Sequence, residues 1–367
     1  MTTRLITVGG FLGAGKTTLL CEAAQRLTGR GQRVGLITND QAPELVDTAF
    51  LSRFGVKVAE VSGSCFCCNF QGLLDAMSKV RAEAEADVLI AEPVGSCTDL
   101  SATIIQPLKE HLGHELIIAP LSVMADPVRL SDILDGGAAD MHPSAAYIFR
   151  KQMEEADIIV ISKTDLLTAD EVVVLKARLG KAYPGVAIFT VSVKTGEGFD
   201  AWLDEVTQCS DAGQRLAEVD YDIYAEGEAV LGWLNATIAL RGEPAEWDFF
   251  AESLLKGLSQ RFDSIGASVG HVKLILEAGN NFLMGNLTGK GGTLSIRGSA
   301  DRSSEAQLTL NARVQMSPEA LEVVVRDVLD STCKGLITAT PRAWRCLSPG
   351  RPNPTYRYDH VVTAKRA

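Results

Sequence analysis

Residues 10–18 read Gly-Phe-Leu-Gly-Ala-Gly-Lys-Thr-Thr, directly behind an apolar run, Leu5 to Val8, and ahead of a helical one, Leu19 to Leu27. Glycines at 10, 13 and 15 let successive backbone N–H groups turn toward one point at a helix N-terminus, where positive charge gathers. Lysine and threonine follow at once, so the segment is a phosphate-binding P-loop in strand–loop–helix context. Gly10, Gly13, Ala14, Gly15, Lys16, Thr17 and Thr18 are expected around a polyphosphate, with Lys16 reaching its β and γ groups and Thr17 ligating Mg²⁺.

Such a loop needs a sheet behind it, and the first half of the chain supplies the strands. Apolar runs recur at Val34 to Ile37, Val56 to Val61, Val88 to Ala91, Leu116 to Leu121, Ile158 to Ile161 and Ala187 to Val191. Most are continuously hydrophobic and separated by helical stretches, which predicts an α/β P-loop NTPase fold: a mainly parallel sheet covered by helices on both faces, over 1–208. A polar connector is expected over 209–227. From 228 to 335 strands follow one another through glycine-rich turns, which predicts a smaller α+β domain with an antiparallel sheet. Residues 336–367, interspersed with proline and arginine, read as an irregular tail.

The 367 residues, 46% apolar, suffice for two cores. A formal charge of −11 disfavours nucleic acid as a partner. The chain enters its first strand at once and holds no apolar run near the ~18 residues of a membrane helix, so the expectation is a cytoplasmic protein without a membrane partner.

Other nucleotide-contacting positions choose the base. Ser162-Lys163-Thr164-Asp165 ends the run Ile158 to Ile161, and a carboxylate there accepts two hydrogen bonds that guanine offers and adenine does not. Ser192-Val193-Lys194-Thr195-Gly196 follows the next run, where a loop would contact the guanine oxygen. Ser162, Lys163, Asp165, Ser192, Val193 and Lys194 are thus candidate contacts, and GTP is the expected nucleotide. Between these motifs, Asp87 to Gly95 has the form of a strand ending in an acid. Glu92 would hold Mg²⁺ through water or orient the attacking water, and Gly95 would open a switch loop sensing the γ phosphate; with Lys16 they form the catalytic set.

Eight cysteines in a chain expected in the cytosol argue against a disulfide framework. Cys65, Cys67 and Cys68 fall within four residues and can turn toward one soft cation such as Zn²⁺ or Co²⁺. Cys97, two residues beyond Gly95, is the candidate fourth thiolate, and Asp47 a weaker one. Buried structural thiols remain the alternative for all four cysteines.

P-loop, Cys-x-Cys-Cys, Glu-x-x-Gly and guanine motif in this order resemble the CobW-like GTPases, relatives of urease and hydrogenase maturation GTPases. The resemblance covers residues 4 to about 205. Asn39 and Asp47 fall in the family's switch segment, Asp126 at its later strand-end acid and Gln152 just before the guanine strand. It implies slow GTP hydrolysis, metal at Cys65, Cys67 and Cys68, and delivery to a client metalloprotein or cofactor-assembly protein such as a corrinoid pathway, with a nucleotide-dependent homodimer as a further option. Asp40, Pro43, Ser64 and Ser162 depart from the family pattern, and the histidine-rich tract of many zinc-handling members is absent. Two alternatives stay open: a nucleotide-gated activator that remodels an enzyme without metal transfer, and a P-loop kinase of a metabolite. No arginine stands at a recognisable catalytic position.

Overall fold

The computed structural model describes residues 2–40, 56–289 and 293–363. β1 (Thr3–Gly10) runs into the P-loop and α1 (Lys16–Gly29), and then β2 (Val34–Asp40), β3 (Lys57–Ser62), α2 (Phe70–Ala84) and β4 (Val88–Glu92) follow. A π-helical turn, Ser101–Ile105, leads into α3 (Gln106–Leu112). The first half continues through β5 (Leu116–Ile118), β6 (Ser122–Ala125), α4 (Pro127–Leu134), α5 (Pro143–Glu155), β7 (Ile158–Ile161), α6 (Ala169–Ala182), β8 (Ala187–Thr190) and α7 (Phe199–Gln208). All pairings are parallel, in the order β3-β2-β4-β1-β6-β7-β8 with β5 also beside β1. The run expected at Leu116 to Leu121 is thus split, with residues 119–121 crossing between two short strands. Apolar clusters lie on both faces of the sheet, which explains the unbroken hydrophobic runs.

The connector expected over 209–227 is not a free linker. Its second half forms α8 (Tyr221–Ala229), capped by the Asp220 side chain and packed on α5, with Tyr224 buried in the first core. Its acidic surface residues masked this helix in the sequence.

The second sheet is antiparallel throughout, in the order β12 (Thr293–Ser299), β11 (Asn281–Thr288), β10 (Val269–Ala278), β13 (Ser303–Val314), β9 (Gly232–Ala245) and β14 (Ile337–Leu347). Helices α9 (Trp247–Ser264) and α10 (Pro318–Cys333) cover one face. β14 corrects the expectation of an irregular tail from 336 onward. Pro341 is accommodated because β14 is an edge strand whose register shifts between Pro341 and Ala343. Beyond β14 the chain is irregular but returns to the first domain.

Arg129, on α4 and nearly buried, clasps the domains: its guanidinium donates to the carbonyls of Leu12 at 2.5 Å, Val269 at 3.1 Å and Gly270 at 3.0 Å. Arg129→Ala is expected to cost roughly 2–4 kcal/mol, because three carbonyls lose a charged donor. Urea unfolding of the two proteins measures it.

Candidate functional site

The nucleotide motifs converge on one edge of the parallel sheet, at the carboxyl ends of its strands, where open α/β sheets bind ligands. After β1 the chain turns at Gly10 with φ +126°, and a Cβ there would lie 2.4 Å from the Met124 carbonyl, so only glycine fits. Gly13 and Gly15 are also left-handed. Lys16 Nζ lies inside the loop, 2.8 Å from the Gly10 carbonyl. Thr17 Oγ1 donates to the Glu92 carboxylate, 3.1 Å from each oxygen, and all three side chains are buried. A hydroxyl facing a carboxylate beside a phosphate cradle is a donor set that suits a hard cation such as Mg²⁺.

Lys163, itself at φ +53°, spans the loop and the base side: its ammonium donates to the Gly13 carbonyl and to Asp126 Oδ2, both at 2.8 Å. The Asp165 carboxylate accepts from Ser192 Oγ at 2.7 Å, with Lys194 Nζ 3.8 Å away. Ser162, Asp165, Val193 and Lys194 line the same cavity as the P-loop. Ser162 Oγ donates to the Ala125 carbonyl, which ties β7 to β6.

The cysteine cluster sits where β3 turns into α2. Asn39 shapes the turn, donating to the carbonyls of Val61 and Ser64 and accepting from Phe66 N–H, each at 2.8 Å. Sulfur separations are 2.9 Å for Cys65 and Cys67, 3.2 Å for Cys65 and Cys68, and 3.8 Å for Cys67 and Cys68. Tetrahedral thiolates on Zn²⁺, with Zn–S near 2.3 Å, lie about 3.8 Å apart, so small side-chain shifts open the cluster to that size. Cys97 is fully buried near this group, but among the described residues the thiols within metal-binding distance of one another are those of Cys65, Cys67 and Cys68. Hydrogen bonds from Cys67 and then Cys68 hold the Cys65 thiol well below its ordinary pKa. Asp47 lies outside the described residues.

What sequence reading missed is how firmly the Gly95–Asp99 loop is held. Gln152 Nε2 donates to the carbonyls of Gly95 at 3.1 Å and Cys97 at 2.7 Å. Ser96 Oγ donates to Glu228 at 2.7 Å, and Glu155 accepts from Thr98 Oγ1 and Ser101 N–H. Glu155 follows the half-buried Glu154 on α5, and Glu228 follows the exposed Asp222 and Glu226 on α8, so one sequence offers no signal that sets the two buried acids apart. Burial, then the neighbouring Asp99 charge, pushes the Glu155 carboxyl up to about 8. Because the folded protein then keeps a proton that the unfolded chain sheds near pH 4.5, this group's contribution falls as pH rises from about 4.5 to about 8. Glu155→Gln is expected to flatten that loss, giving a smaller drop in melting temperature between pH 5 and pH 8 than the unaltered protein shows.

The segment after β14 straps the cluster. Asn353 N–H donates to Cys68 Sγ at 3.2 Å and Thr355 N–H to the Cys67 carbonyl at 2.8 Å. Tyr356 packs edge-on to Phe70, ring centres 5.2 Å apart. Arg357 pairs at 2.7 Å with Asp99, which also accepts from Tyr221 OH at 2.7 Å.

Residues 4–190 match the model of the CobW/HypB/UreG nucleotide-binding domain. A zinc chaperone CobW from a Sinorhizobium species is 28% identical over 188 residues, 44% of this chain and 51% of that protein. The zinc chaperone YjiA of Escherichia coli K12 is 26% identical over 193 residues, 50% of this chain and 55% of that one. The chain thus spans about half the length of the curated relatives it matches. The crystal structure of the hydrogenase maturation factor HypB from Archaeoglobus fulgidus is 21% identical, covering 55% of this chain and 87% of that one with a TM-score of 0.40. No described helix is long and apolar enough to cross a membrane.

Proposed function

The chain belongs to the CobW/HypB/UreG nucleotide-binding family, and on that premise we propose that it is a GTP-hydrolysing metallochaperone whose nucleotide state governs binding and release of a transition metal, Zn²⁺ or Co²⁺. The observation that carries this reading is the Gly95–Cys97 segment. A Cβ at Gly95 would meet Lys16 Nζ at 3.1 Å, while two residues on the buried Cys97 thiol lies near Cys65 and Cys67. One short loop therefore runs from the lysine that would serve the γ phosphate to the neighbourhood of the sulfurs that would hold the metal. A shift of that loop on triphosphate binding changes the sulfur geometry, which is the linkage the function needs.

In the GTP-bound protein, Lys16 and the P-loop N–H groups hold the phosphates, and Asp165 with Ser192, Val193 and Lys194 meets the guanine. Thr17 directly, and Glu92 directly or through water, would hold Mg²⁺, which supplies charge neutralisation between the β and γ phosphates. Gly95 brings its N–H toward the γ phosphate. Cys65, Cys67, Cys68 and Cys97 form the metal site, and hydrolysis frees the ion for a client metalloprotein or a cofactor-assembly protein. The relatives' names as zinc chaperones favour Zn²⁺ as the cargo.

Titration with Co²⁺, following thiolate absorption, tests the coupling. The expected result is markedly tighter binding with a non-hydrolysable GTP analogue than with GDP. No thiolate band in either state would make the cysteines structural and favour a GTP-driven activator instead.

A further inference from the structure

The second sheet turns an unusual face toward the P-loop. Helices α9 and α10 cover the face that carries Leu234, Leu274 and Leu310, and the opposite face of the same strands carries a row of polar residues beside Trp233, Ile275 and Met284. In register, Ser295 pairs with Asn286, Asn286 with Lys273, Lys273 with Asn311, and Asn311 with Asn235, so one polar row crosses five strands. The next pair of β10 and β13 on this face is His271 with Arg313. Polar residues on a sheet face normally mean solvent. Here Asn235, Asn311 and Arg313 are each 2% exposed, because this face closes on the nucleotide domain.

The approach is close. A Cβ at Gly13 of the P-loop would lie 3.0 Å from Thr288 Cγ2 and 3.5 Å from the Gly270 carbonyl. Lys273 Nζ is 3.2 Å from Thr17 Oγ1, the hydroxyl that also meets Glu92. His271, Lys273, Asn286, Asn311 and Arg313 line one cavity of about 850 Å³ with Lys16 and the P-loop. Burial and the charges of Lys273, Arg313, Lys16 and Arg129 hold the His271 imidazole well below its ordinary pKa, the mark of a cation-rich enclosure. Such an enclosure suits a polyanion.

We propose that Lys273 is the residue that distinguishes triphosphate from diphosphate, its ammonium moving from Thr17 to the terminal phosphate when Mg²⁺ and nucleoside triphosphate bind. The inference deepens the proposed function and rests on its nucleotide half. Two cations cannot share the Thr17 hydroxyl without strong repulsion, so a Mg²⁺ ion at that oxygen drives the ammonium to the nearest anion. The flexible lysine stem permits the move, and a diphosphate has no γ phosphate to receive it. Since β10 belongs to the second domain, that domain then feels whether the third phosphate is present. Lys273 also supplies, from within the chain, the cation that sequence reading sought in vain among arginines.

The test compares full-length unaltered protein with Lys273→Gln and Lys273→Arg. Affinities for a fluorescent non-hydrolysable GTP analogue and for fluorescent GDP are measured with Mg²⁺. Lys273→Gln is expected to lose about tenfold or more for the analogue and less than about twofold for GDP, with Lys273→Arg recovering most of the loss. Amide exchange across 269–278 in the unaltered protein provides a readout that does not depend on a variant folding, and slower exchange with the analogue than with GDP is expected. Equal losses for both nucleotides, no loss for either, or identical exchange would overturn the proposal. Failure of the unaltered protein to bind either nucleotide would overturn the nucleotide reading and this inference with it.

Discussion

Glu92→Gln is expected to lower the rate of GTP hydrolysis by about 10²–10³-fold, measured as phosphate release at saturating GTP. The amide keeps an acceptor for Thr17 Oγ1, so the buried pair at 3.1 Å survives, while the negative charge that steadies Mg²⁺ or orients water is gone. GDP affinity should change far less than the rate. An unaltered rate would reduce Glu92 to a strand-end side chain that holds Thr17 in place, and the catalytic acid would have to be sought elsewhere.

Cys67→Ala is expected to weaken Zn²⁺ or Co²⁺ binding by at least about 100-fold, since the cluster of Cys65, Cys67 and Cys68 would lose one of its three thiols. The Co²⁺-thiolate band and competition with a chelator measure it. Cys97→Ala separates coupling from simple ligation. If Cys97 carries the nucleotide signal, its loss lowers affinity mainly in the triphosphate state and narrows the difference between the two states. Unchanged affinity in both states would remove Cys97 from the site.

The parallel sheet and the P-loop were legible because their residues answer to local rules. The strands between helices are buried on both faces and so read as unbroken apolar runs, and the glycines at 10, 13 and 15 follow the strand and precede the helix that the loop requires. The grouping of Cys65, Cys67 and Cys68 was also legible, because three thiols within four residues of one turn cannot lie far apart. α8 was not, because its buried Tyr224 and Glu228 are embedded among exposed acids and the helix is held by contacts to α5. β14 was hidden by Pro341, which sequence rules count against a strand but which an edge position tolerates. The polar row on the second sheet could not be read at all, since only strand register brings residues 235, 273, 286, 295 and 311 together.

The strap over the cysteines also sets an order of events during synthesis. Asn353 lies 285 residues beyond the Cys68 sulfur that it caps. At about 5–20 residues per second, translation needs roughly a quarter of a minute to a minute to cover that stretch, and amino-terminal domains fold first. Every newly made molecule therefore passes through an interval in which the thiol cluster is built and uncovered. If the cysteines hold metal as proposed, that interval is when an ion meets the fewest covering groups, so the strap, by closing last, would seal in an occupant chosen before any nucleotide cycle has begun.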